Sequence, residues 1–105
     1  MEVSVKPVHR KLRTGTCLQG YLPITFERLC EVLGKPHYKE KGYNKSYNEW
    51  VFKINGSIVT IYDYKEDGSK TKGYEWHIGG HTDYALASLN KLLDAEYVDE
   101  RAIPA

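Results

Sequence analysis

The sequence predicts an α+β fold of order β-α-β-β-β-α, a mainly antiparallel four-stranded sheet with two helices on one face. Three observations carry this. "EWVFKI" and "SIVTIYDYK" are alternating runs joined by Asn55-Gly56, the signature of a two-residue type I′ hairpin. Two further segments repeat apolar residues at helical spacing. The central strands are joined by short turns, so they must be antiparallel, and two amphipathic helices need one apolar face to cover.

The elements follow in order. Residues 1–13 read as a flexible N-terminal arm, interrupted by Pro7 and carrying the basic cluster "HRKLR", His9 to Arg13. Residues 14–94 form a single α+β domain, and the charged tail 95–105 is expected to fray. "TCLQGY" alternates between Gly15 and Gly20 as a short strand. Thr25 is a natural N-cap, with Glu27 in the first turn facing the positive helix end. Phe26, Leu29, Cys30 and Leu33 then make one helical face, closed by Gly34 and Pro36.

A polar loop follows, with Lys39, Lys41 and Lys45 interleaved with Tyr38, Tyr43 and Tyr47. Trp50, Phe52 and Ile54 share one face of the next strand, opposite Glu49, Val51 and Lys53. Ile58, Thr60, Tyr62 and Tyr64 share one face of its partner, opposite Val59, Ile61 and Asp63. Tyr74, Trp76 and Ile78 mark the third strand of the meander. Gly79-Gly80 is expected to end it through unusual backbone angles. His81 or Thr82 caps the second helix, with Asp83 in its first turn. Ala85, Leu86, Leu89, Leu92 and Leu93 supply its buried stripe. Periodicity leaves open which sheet face the helices cover. Val51, Val59 and Ile61 are placed on one face and the Tyr/Trp set on the other.

Composition bounds function. The chain has 105 residues, 41% hydrophobic and 28% charged, which is a globular balance. Fifteen basic against fourteen acidic residues leave a formal charge of +1. That argues against a dedicated duplex DNA binder and against an acidic DNA mimic. Cys17 and Cys30 are too few for a secreted disulfide scaffold and read as free thiols in a reducing compartment. No signal peptide opens the sequence, and no apolar run nears the ~20 residues of a membrane span.

Cys17, Cys30, His37, His77, His81, Asp63, Glu75 and Asp83 sit in no catalytic motif, so no catalytic residue is assigned. His77 and His81 lack a third ligand at zinc spacing, so neither metal nor cofactor is expected. Thr14, Thr16, Gln19, His77, Gly79, Gly80 and His81 are candidates for an anion or nucleotide site, since backbone amides at small-residue turns cradle phosphate. Tyr43, Tyr47, Tyr62, Tyr64 and Tyr74 are candidate partner-binding anchors, because tyrosine offers large contact area at low entropic cost. A sheet apolar on both faces also points to a second covered surface, a partner or a homo-oligomer contact.

"GTCLQGY", a helix ending "LGKP", "EWVF", "TIYDYK" and "WHIGGH" occur in that order between Thr14 and Leu93. Together they resemble a family of small phage and prophage proteins with the frame GTxLQGY, FGxP, EW, TIYx[WY]K and WHIGGH. Leu33-Gly34 stands where that frame has Phe-Gly. The family carries no established activity. The resemblance implies a mobile-element protein acting in bacterial cytoplasm, where such accessory proteins commonly antagonise host defence. The leading expectation is therefore a non-enzymatic, anti-CRISPR-like or other anti-defence inhibitor that binds a host or defence protein. The alternatives are a sponge for a nucleotide second messenger and a small hydrolase or metal-dependent enzyme.

Overall fold

The computed structural model describes residues 3–39, 47–82, 84–94 and 97–99. Its elements are β1 (Val3–Pro7), a 3-10 helix (Arg10–Arg13), β2 (Cys17–Pro23), α1 (Phe26–Leu33), β3 (Tyr38–Lys39), β4 (Asn48–Ile54), β5 (Ser57–Tyr62), β6 (Glu75–Gly80), α2 (Tyr84–Asp94) and β7 (Tyr97–Asp99). The α+β class and the mainly antiparallel sheet are as expected from sequence. The sheet is larger: among the described residues it has seven strands, in the order β2-β6-β5-β4-β1-β7, with the short β3 also on β4.

The extra strands come from the ends of the chain. Val3–Pro7, expected within a flexible arm, pairs antiparallel with β4, Val5 facing Ile54. Tyr97–Asp99, expected to fray, runs parallel to β1. Both segments are too short to show a strand pattern alone and are ordered by the edge they extend. Pro7 is tolerated because it ends its strand.

Local chemistry behaves as the sequence implies. Asn55 and Gly56 both have positive φ, 50° and 87°, and Ile54 pairs with Ser57 across them. The Thr25 hydroxyl accepts from the Arg28 amide at 3.1 Å and caps α1. Gly34 closes α1 with φ 82°, its amide donating to the Cys30 carbonyl. The Thr82 hydroxyl accepts from the Tyr84 amide at the start of α2. Asp83 lies outside the described residues.

Register decides the faces. Trp50 pairs with Ile61, Phe52 with Val59, and Ile61 with Ile78. These residues, with Trp76, Val5 and Ile54, are fully buried against Leu29, Val32 and Leu33 of α1 and Ala85, Leu89 and Leu92 of α2. Both helices therefore cover one face. The expected division is corrected: the tryptophans join Val59 and Ile61 in the core, while Val51 shares the other face with Tyr62. The Trp50 and Trp76 indoles donate to the Gly34 and Ile24 carbonyls, tying the ends of α1 to the sheet.

Strand order also dictates what crosses the second face. β1 and β2 lie beyond opposite sides of the β4-β5-β6 meander, so Val8–Thr16 must pass over it. The segment runs opposite the helices. The Val8 amide donates to the Val51 carbonyl at 3.1 Å, the 3-10 helix packs on β5, and Arg13 ion-pairs with Glu49. This crossing accounts for the burial of Val51, Thr60 and Glu49 on the helix-free face.

Candidate functional site

The segments that carry the sequence motifs meet on the helix-free face. "CLQGYLP" of β2 pairs with "EWHIGG" of β6, placing Tyr21 opposite His77 and Cys17 opposite Gly80. Tyr62 of β5 faces His77 from the other side and pairs with Glu49 of β4. His77 thus sits among four tyrosine rings. Tyr62 stacks on it at 5.2 Å, Tyr21 meets it edge-on at 4.9 Å, and Tyr64 and Tyr74 lie at 6.1 and 6.2 Å.

Hydrogen bonds fix this cluster. The Tyr74 hydroxyl accepts from the Tyr64 amide at 2.8 Å and lies 3.3 Å from His77 Nδ1. Its own hydrogen can therefore go to a neutral imidazole. Burial holds the His77 pKa below its usual value, only partly opposed by the Asp63 charge. Burial likewise raises the Tyr62 and Tyr74 phenols, with Glu49 adding to the first and Asp63 to the second. These shifts favour the neutral forms of His77, Tyr62 and Tyr74. Two remain open to solvent: Tyr21 is 49% exposed and Tyr64 46%, with Leu18 and Leu12 exposed to a similar extent.

Asp63 supports the cluster from below. It is fully buried and accepts from the amides of Tyr47, Asn48 and Gly68 and from Asn48 Nδ2, all between 2.6 and 2.8 Å. Asn48 Nδ2 also reaches Asp67, which caps the turn through Ser69. Both Asp63 oxygens are committed to structure, so the carboxylate is a keystone of the 63–74 loop.

The sequence candidates separate into three groups. Tyr62, Tyr64 and Tyr74 join His77, as does Tyr21, which sequence reasoning did not select. Its position in "LQGY" gave no sign of a partner, because the β2–β6 pairing spans more than fifty residues of chain. Tyr47 lies beside Asp63 through its backbone, and Tyr43 lies outside the described residues.

Gln19, Gly79 and Gly80 serve architecture. The Gln19 amide donates to the Cys17 and Gly80 carbonyls, spanning the register shift between Leu18 and Gly20. Gly79 and Gly80 end β6 as expected, but neither has a positive φ, which corrects the expected reliance on unusual backbone angles. Glycine is needed there for space. A Cβ on Gly80 would sit 2.4 Å from the Ala85 Cβ, and one on Gly79 2.5 Å from Thr60 Oγ1.

Thr14 and Thr16 line a cavity with His9, Lys11 and Arg13, and the exposed His81 ring lies against Gly15 beside it. The phosphate candidates are thus split, with His77 elsewhere. His37 Nδ1 lies 3.2 Å from the Val51 amide, and its ring packs edge-on against Phe52. Burial raises the Cys30 thiol, and both cysteines are free. No group of three His, Cys, Asp or Glu among the described residues could hold a metal, and no described helix is long and apolar enough to cross a membrane. No family model, curated protein or solved structure matches this chain.

Proposed function

We propose that this chain is an accessory protein of a phage or other mobile element. It acts without catalysis in the bacterial cytoplasm, by binding and inhibiting a protein of the host or its defence systems. The observation that carries the reading is the cluster of Tyr21, Tyr62, Tyr64 and Tyr74 around His77. It lies on the sheet face the helices leave open, and its two outermost rings are half exposed. Such rings are held rigid by their neighbours, so little side-chain freedom is lost when a partner covers them. The segments "TIYDYK" and "WHIGGH" and the sequence-distant "LQGY" each contribute a ring to this one surface.

The test uses bacteria carrying defined defence systems, each challenged with a phage it blocks. Expression of the protein should restore plating against at least one of them. Tyr21→Ala with Tyr64→Ala should abolish that rescue while leaving the melting temperature of the purified protein within a few degrees. Binding anchors of this kind are worth about 2 kcal/mol or more. Full rescue by the double variant would show that the surface is misassigned.

A further inference from the structure

The segment that crosses the sheet carries a second feature, independent of the tyrosine surface. His9, Lys11, Arg13, Thr14 and Thr16 line an open cavity of about 460 Å³. That volume falls within the range of small-molecule sites, roughly 300–1,000 Å³. Among the described residues no carboxylate lines it, and three of the five lining side chains are basic.

The donors are set by bonds within the segment. His9 Nδ1 accepts from the Lys11 amide at 3.1 Å. A neutral His9 imidazole therefore carries its hydrogen on Nε2, which makes that edge a donor even without protonation. The Thr14 hydroxyl gives its hydrogen to the Lys11 carbonyl at 2.8 Å. Arg13 spends one nitrogen on Glu49, yet its side chain remains 45% exposed and keeps other N–H groups. The Glu49 carboxylate is neutralised by that contact.

The backbone of the segment is also fixed. The Leu12 amide bonds to the His9 carbonyl, Thr14 to Lys11 and Thr16 to Arg13. Gly15 takes φ 84° to turn the chain into β2. The main chain that carries these side chains is therefore held in place before any ligand arrives, and that lowers the entropic cost of binding.

A cavity rich in donors on a bonded main chain, with Lys11 and Arg13 at its lining and no carboxylate among the described lining residues, suits a compact, doubly charged oxyanion. We infer that His9, Lys11, Arg13 and Thr16 form a binding site for a phosphate group, as free phosphate or as the end of a phosphate ester such as a nucleotide.

Isothermal titration calorimetry at low salt tests this on the intact chain, with inorganic phosphate and ADP as separate ligands. At least one should bind with a Kd of about 1 mM or tighter. Comparable affinities assign the phosphate group alone, whereas ADP binding at least roughly tenfold tighter assigns an ester. Lys11→Gln should weaken binding about fivefold or more without lowering the melting temperature, since the exposed Lys11 supports nothing buried. Lys53→Gln, on the same sheet face but outside the cavity, should bind as the parent does. Absence of heat with either ligand up to about 10 mM overturns the inference. So does an equal loss in the Lys11 and Lys53 variants, which would reveal only general attraction to positive charge.

Discussion

Replacing Gly80 with alanine probes how closely α2 approaches the sheet. The new Cβ would lie 2.4 Å from the Ala85 Cβ and 3.3 Å from the Ile58 carbonyl oxygen. Carbon atoms in contact prefer about 3.5–4.0 Å, so the first turn of α2 must retreat by more than about 1 Å. Ala85 is 2% exposed and has no flexible side chain to swing aside. Overpacking of this kind costs about 1–3 kcal/mol. The alanine also restricts the unfolded chain, which returns about 0.4–1 kcal/mol. The net loss should be about 1–2 kcal/mol, a fall in melting temperature of roughly 5–15 °C for a domain of this size. Urea denaturation and thermal melts followed by circular dichroism measure both quantities. Ala85→Gly provides the control. Alone it should cost about 0.5–1 kcal/mol in helix stability. Combined with Gly80→Ala it removes the clash, so the two losses should fall short of additivity by about 1 kcal/mol. A Gly80→Ala protein as stable as its parent, or strictly additive losses, would refute the close approach as the reason for glycine.

Two further outcomes follow from the same geometry. Asp63→Ala leaves four donors without their acceptor and should cost at least about 3 kcal/mol in chemical denaturation; a loss below about 1 kcal/mol would contradict the keystone role. His77 should make folding sensitive to mild acid. Its folded pKa lies below the ordinary 6.5, so the unfolded chain takes up the proton first. The contribution is complete above about pH 6.5 and declines as pH falls below it. His77→Gln should flatten that part of the stability curve between about pH 7 and pH 5. An unchanged slope in the variant would place the sensitivity elsewhere.

Legibility in the sequence tracked the range of the interaction. The Asn55-Gly56 hairpin, the Thr25 cap and the Gly34 stop each depend on residues within one turn of chain. They stood where the sequence put them. So did the apolar stripes of both helices, because helical spacing is a local property. The tyrosine set was only partly readable. Tyr62, Tyr64 and Tyr74 come from neighbouring stretches of a meander, whereas Tyr21 reaches them only through the pairing of β2 with β6.

By itself, then, the sequence determined the class of fold, the central meander, both helices and the residue types available for recognition. The tertiary structure alone decided which face each strand buries, since a shift of one residue in register exchanges the two faces and composition did not forbid either. It alone ordered β1 and β7, whose few residues gain a strand conformation only from an existing edge to pair with. It also decided why "WHIGGH" holds two glycines. Sequence marks an absent side chain without saying whether angle or space requires it. The Ala85 methyl 2.4 Å from where a Cβ would stand makes it space.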